Sequence, residues 1–193
     1  MLSSCELEEN EDGGGTTGGG GNNNNNNEGL VESFNVSLNY NSKDPSAISS
    51  LDVNTLSAVS ANDGDVTLCW QSNYGYMITS PDASQLRNCY AANDKDILYT
   101  NTKTTKIQNL GSVSLSNYDE VSELKALNVT SGSIPNLTNS EYGSLSNQVL
   151  VNSGDVIAFQ KGNIKGVGQV TGLSKVTKKI TFKGYVYNPS AAK

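Results

Sequence analysis

Whatever chemistry this chain performs, it performs without histidine, since none of its 193 residues is His. That excludes a Ser-His-Asp or Cys-His site and a His-ligated zinc. Carboxylate pairs remain, and Asp119, Glu120 and Glu123 form the densest acidic cluster. Two acids about 5 to 9 Å apart are what glycoside hydrolysis requires, whereas on a helix the same residues serve as partners of the positive dipole end and as solvated surface. Asn62-Asp63-Gly64-Asp65 and Asn93-Asp94-Lys95-Asp96 offer hard oxygen ligands for calcium. Neither matches the EF-hand loop with its terminal Glu, and turns of Asn, Asp and Gly form for backbone reasons alone. The run from Gly13 to Gly21 lacks the strand, helix and Lys of a phosphate-binding loop. The expectation is therefore a non-enzymatic protein with no catalytic residue, no metal and no cofactor.

Binding is the class that survives. A glycan site uses an aromatic platform with amide and carboxylate groups beside it, and Trp70, Gln71, Asn73, Tyr74 and Tyr76 form the best local cluster of that kind. The competing structural role places Trp70 in the core and uses the two tyrosines to close a hairpin. A second candidate surface is Lys179, Lys183, Tyr185 and Tyr187, which share one face of a C-terminal strand and would suit a protein partner. Seven lysines follow the last acid, Asp155: Lys161, Lys165, Lys175, Lys178, Lys179, Lys183 and Lys193. A nucleic-acid surface is not expected from them, because Arg87 is the only arginine and no nucleic-acid motif accompanies the run. Lysines that keep strand edges from aggregating account for the same residues, as would contact with an anionic glycan or an acidic partner.

Location is carried by the N-terminal stretch. Leu2-Ser3-Ser4-Cys5 has the pattern read by a lipoprotein signal peptidase, which would make Cys5 the lipidated anchor. After it come Glu6, Glu8, Glu9, Glu11 and Asp12, a Gly-rich run to Gly21 and the asparagines Asn22 to Asn27. Such a polar low-complexity segment behaves as a flexible coil, with a root-mean-square reach of about 27 Å between Glu6 and Gly29. The net charge of -6 belongs to this tail, because residues 29–193 hold 13 acidic and 13 basic groups. The organisation read from the chain is thus residues 1–29 as a lipobox remnant and disordered acidic tether, and residues 30–193 as one β-rich globular domain.

The elements that would position these residues follow from alternation and turn chemistry. Phe34, Val36, Leu38 and Tyr40 share one parity of a half-buried strand. Leu51-Asp52-Val53 opens a second, and Val66 to Trp70 forms a hairpin with Tyr76 to Thr79 across Ser72 to Gly75. Ser80-Pro81-Asp82-Ala83 reads as a helix start, with Leu86, Cys89 and Tyr90 on one helix face. Ile97 to Tyr99 and Thr105 to Leu110 are short extended runs, and Asn117 to Glu120 offers a second helix start ahead of Val121 and Leu124. The C-terminal part reads as a meander: Val156 to Phe159, a turn at Lys161-Gly162-Asn163, Lys165 to Thr171, and Lys178 to Tyr187. In that last strand Ile180, Phe182 and Val186 point inward and the Lys/Tyr set outward. The fold class expected is all-β, mainly antiparallel, a β-sandwich or partly open β-barrel with one or two short helices. Cys69 and Cys89 could close a loop of about twenty residues, worth roughly 3 kcal/mol as a disulfide, or could each be a small buried hydrophobe.

Three segments carry a family resemblance. Ser80-Pro81-Asp82-Ala83, then Lys106-Ile107-Gln108-Asn109-Leu110-Gly111, then Gly154-Asp155-Val156-Ile157-Ala158-Phe159 with Gly162 and Gly166, resemble in that order a group of uncharacterised outer-membrane and surface lipoproteins from Bacteroidetes. The resemblance implies a shared architecture over roughly residues 50 to 187 and carries over no catalytic position. In that group acidic residues just after the lipidated Cys look like a signal for export to the outer leaflet, which Glu6, Glu8 and Glu9 fit. The resulting expectation is a lipid-anchored domain on the cell surface at the outer membrane, acting as a binding or accessory subunit with an outer-membrane protein partner. The alternatives are a carbohydrate-binding lipoprotein for glycan capture and a structural or adhesive subunit.

Overall fold

The structure, a computed structural model, describes residues 29–40, 49–71, 74–83, 101–134 and 146–191. The acidic tail with Cys5, the helix face of Leu86, Cys89 and Tyr90, the turn Asn93 to Asp96, the run Ile97 to Tyr99, Asn73 and Lys193 lie outside the described residues.

The described chain is an all-β assembly of two antiparallel five-stranded sheets. Its strands are β1 (Leu30–Asn39), β2 (Ser49–Asp52), β3 (Ser57–Ser60), β4 (Val66–Gln71), β5 (Gly75–Thr79), β6 (Lys106–Asn109), β7 (Gln148–Leu150), β8 (Val156–Lys161), β9 (Ile164–Ser174) and β10 (Lys179–Asn188). One sheet has the order β1-β10-β9-β8-β6 and the other β3-β2-β4-β5-β7. The meander β8-β9-β10 and the hairpin β4-β5 form as the alternation predicts. The loop between β8 and β9 is tight because Lys161 pairs with Ile164, and Gly162 supplies the positive φ of 57° that this turn needs. The first long strand then pairs along its whole length with the last, from Leu30 opposite Asn188 to Asn39 opposite Lys179.

Alternation decides what faces the other sheet. Phe34 from β1, Phe159 from β8 and Phe182 from β10 meet between the sheets with ring centroids 5.4 to 6.3 Å apart, tilted rather than stacked. Leu51, Val66, Leu68, Ile78 and Val149 face them from the second sheet. Room for the rings comes from β9, where a Cβ on Gly168 would run into the Phe182 ring. The seam on one side is laced rather than laddered: Gly132 donates its N–H to Ile107 O of β6 at 2.6 Å, and its carbonyl accepts from Gln148 N of β7 at 3.4 Å. Among the described residues no ladder joins the two sheets, which form the separate layers of a sandwich.

The second helix start is realised as a 3-10 turn, Leu115–Tyr118, followed by α1 (Val121–Ala126). The Glu120 N–H donates to Glu123 Oε2 at 3.1 Å, so Glu123 caps the helix it belongs to, and Asp119, Glu120 and Glu123 are all exposed. At the other end of α1, the Lys165 ammonium donates to the carbonyls of Lys125 at 2.6 Å and Leu127 at 2.8 Å, where orphan carbonyls need donors. No described helix is long and apolar enough to cross a membrane.

That helical segment corrects the face drawn for β10. Leu124 and Val129 pack with Val156, Ala158, Val167 and Tyr187 on the side of the sheet away from the core, so this sheet is covered on both faces. Tyr187 is buried and Tyr185 half-buried, with the Lys125 ammonium 5.7 Å from the Tyr187 ring centroid. Lys179 and Lys183 alone of the four candidate partner-face residues are exposed.

Candidate functional site

Trp70 lies near the end of β4 and is directly paired with Tyr76 across the hairpin. Because side chains alternate, these two share the face turned toward the other sheet, while Gln71 takes the opposite face. Tyr74, in the hairpin loop, is 41% exposed. Three sequence-predicted residues, Trp70, Tyr74 and Tyr76, thus come together at one end of the sandwich, and Gln71 does not join them. They line a groove of about 620 Å³, within the usual size of a small-molecule site.

The groove's remaining walls come from segments far away in the chain. The β9–β10 hairpin contributes Leu173, Lys175 and Lys178, and the segment after β7 contributes Val151, Asn152 and Ser153. Each wall is held in place. The Tyr76 hydroxyl donates to Ser174 O at 2.6 Å, tying the β4–β5 hairpin to the β9–β10 hairpin, and burial pushes its phenol pKa above the ordinary tyrosine value. Val151 N donates to Tyr76 O at 3.0 Å. Asp155 Oδ2 accepts from Asn152 N at 2.9 Å and from Asn109 Nδ2 at 3.1 Å, which fixes the turn that presents Asn152 and Ser153. The Gly154-Asp155 pair noted in the sequence is therefore scaffolding for this wall.

Lys178 is the residue that sequence reasoning missed. Its backbone sits at a positive φ of 52°, and its carbonyl accepts from Tyr40 N at 2.8 Å, so the hairpin is anchored to the end of β1. From there its ammonium lies over the Trp70 ring, 3.2 Å from the centroid, in a cation–π contact. Lys175 is exposed on the same rim. Among the described residues lining the groove, Lys175 and Lys178 carry the only formal charges. The sequence signal was present as the lysine-rich C-terminal run, but nothing local distinguishes these two from lysines that decorate a surface.

Two other candidate features have structural work. Asp65, at the start of β4, is buried, with Oδ2 accepting from Val53 N at 3.1 Å. Its Oδ1 lies 2.7 Å from Lys161 Nζ and 3.7 Å from Lys103 Nζ. Asp63 Oδ2 accepts from Ser60 Oγ at 2.6 Å. The turn drawn as a candidate calcium ligand set thus spends its buried carboxylate on two ammonium groups, and no described cluster of three acids or cysteines is placed to hold a metal. Cys69 is buried and disulfide-bonded, while its candidate partner Cys89 lies outside the described residues.

The described lining residues are groups suited to binding. Aromatic surface, an amide, a hydroxyl and two ammonium groups converge, with no carboxylate among the described lining residues. No protein-family model, curated protein or solved structure matches this chain.

Proposed function

We propose that the chain is a non-enzymatic, lipid-anchored surface domain that acts as a binding subunit at the outer membrane, and that its ligand enters the groove around Trp70. The observation that carries this reading is the convergence on one groove of Trp70, Tyr74 and Tyr76 with Asn152, Lys175 and Lys178. Residues from three separate segments meet there, at a sandwich end where strand ends and loops bring distant parts of the chain together, the kind of place where binding residues concentrate. Anchoring rests on the Leu2-Ser3-Ser4-Cys5 pattern, the acidic Gly/Asn-rich stretch after it, and the resemblance to Bacteroidetes surface lipoproteins.

Glycan capture is favoured over a protein-docking role by the shape of the site. Of the four residues drawn as a partner face on β10, Tyr187 is buried and Tyr185 half-buried, which leaves little aromatic surface there for a partner. In the groove, by contrast, Tyr74 is 41% exposed beside the half-buried Trp70, with the buried Tyr76 behind them.

Two measurements test the reading. Cys5→Ser should move the protein from the membrane fraction to the soluble fraction, and mass spectrometry of the native protein should find lipid on Cys5. An unmodified Cys5 in membranes would remove the anchor. Trp70 is the only tryptophan, so its fluorescence reports on the groove without labelling. A cell-surface polysaccharide fraction should change that emission saturably, and less so in Tyr74→Ala; an emission indifferent to every fraction would remove the groove as the binding site.

A further inference from the structure

The groove's charge and the position of Lys178 say more about the ligand, granted that the groove is the binding site. A neutral sugar that stacks on Trp70 must first displace the Lys178 ammonium from the indole face, where it lies 3.2 Å from the ring centroid. That contact is favourable, and a neutral ring offers the displaced ammonium only hydroxyl acceptors, with no charge to pair with it. An anionic ligand does, and among the described lining residues no carboxylate competes for either lysine.

We propose that the groove takes a carboxylated saccharide, a uronic-acid-bearing glycan, by an exchange in which the Lys178 ammonium leaves the Trp70 face to pair with the carboxylate while a sugar ring takes its place on the indole. Lys175, on the same rim, faces the next anionic unit of the chain, and Asn152 and Ser153 are the hydroxyl-recognising groups of the opposite wall. Tyr74, 41% exposed at the groove mouth, offers a second ring for stacking. An acidic peptide is the lesser fit. The groove is built from strand ends and hairpin loops, and the edge strand that reaches it, β7, is three residues long with its Leu150 carbonyl accepting from Asn109 Nδ2 at 2.8 Å, which leaves a peptide little edge to add to. Among the described lining residues there is also no arginine, the usual bidentate reader of peptide carboxylates and phosphates.

The test titrates the full chain with tetragalacturonate, a β-linked mannuronate tetramer, and the carboxyl-reduced neutral form of each, following Trp70 emission and heat. At least one uronate should bind saturably, about tenfold more tightly than its neutral form, as expected for a charge-assisted contact. That preference should shrink as salt is raised. Lys178→Asn removes the charge with a residue that tolerates a positive φ, and it should bring uronate and neutral form to the same affinity. Lys175→Gln, a change at an exposed position, should reduce the preference severalfold and serves if the first variant folds poorly. The proposal is overturned if neither uronate binds, if the neutral forms bind as tightly, or if both lysine variants keep the preference. It is equally overturned if a poly-glutamate peptide competes as well as the uronate, since the site would then read charge without sugar. A response to surface polysaccharide in the absence of any uronate preference would sink this proposal and leave the binding function standing.

Discussion

The two ends of β4 each gather a pair of lysines, and the pairs do opposite things. At the beginning of the strand Lys161 and Lys103 converge on the buried Asp65, at 2.7 and 3.7 Å. At its far end Lys178 sits on the Trp70 ring and Lys175 lines the same rim, with no acid among the described lining residues. The first pair closes the sandwich, because Lys161 belongs to β8 and Asp65 precedes β4, so the contact bridges the two sheets. The second also spans the sheets, but through an aromatic face rather than a carboxylate, beside an open groove. A cation whose charge is matched by a buried carboxylate is part of the scaffold, whereas the proposed exchange needs a cation that an incoming anion can draw off an aromatic face.

The largest expected effect tests the closed end. Asp65→Ala removes the carboxylate that Lys161, Lys103 and the Val53 N–H all address. Breaking a buried pair by deleting one partner costs about 3 kcal/mol, to be seen as a lower urea midpoint at unchanged slope. Lys161→Gln should cost nearly as much and Lys103→Gln much less, because Lys103 is farther from the carboxylate and its side chain is 41% exposed. If Asp65→Ala and Lys178→Asn prove equally mild, the two ends are not different in kind and the comparison fails.

A smaller effect is expected where the open end is braced. Tyr76→Phe deletes the hydroxyl that donates to Ser174 O at 2.6 Å and should lower stability by about 1 kcal/mol. It also carries a pH signature. Burial raises the Tyr76 pKa in the folded protein, so the folded state keeps its proton where the unfolded chain has lost it. The stabilisation is complete below about pH 10, where an unfolded tyrosine begins to ionise, and is lost as pH climbs from there through the higher folded pKa. Tyr40 is shifted in the same direction by burial, so Tyr76→Phe should remove part of the alkaline loss and leave the remainder. An unchanged alkaline profile in denaturant titrations at pH 9 to about 12 would mean that Tyr76 is not the buried brace described above.

Legibility in the sequence followed the range of the interactions. Strands with clean alternation, Phe34 to Tyr40, Val66 to Trp70 and Ile180 to Val186, were readable because period two is a local property. β3 is Ser-Ala-Val-Ser and β7 is three residues long, and neither carries a pattern that its neighbours lack. Pairing of β1 with β10 joins the two termini of the domain and leaves no local trace. Parity alone places Tyr187 toward solvent, because it says which side of a sheet a residue takes and not whether a helix from elsewhere in the chain covers that side. Within the groove, Trp70, Tyr74 and Tyr76 were legible as one hairpin. Lys178 and Asn152 were not, since only the tertiary fold brings the β9–β10 hairpin and the segment after β7 against it. Asp65 shows the same limit: its turn residues were visible, and its partner Lys161 was visible only as one lysine of many.

The smallest effect on stability should come from Lys178→Asn, and that smallness is what gives it meaning. A cation–π contact at a partly solvated site contributes about 0.5 to 1 kcal/mol, and Asn at a positive φ is less strained than Lys, which offsets some of it. The net change in unfolding free energy should therefore stay near 0.5 kcal/mol. Trp70 emission should nonetheless shift, because the group 3.2 Å from its ring centroid is gone. A large spectral change with little loss of stability would separate this end of β4 from the Asp65 end, where removing charge should unfold before it does anything else. A loss of several kcal/mol would instead make Lys178 a structural lysine like Lys161, and the proposed exchange would then lack its cation.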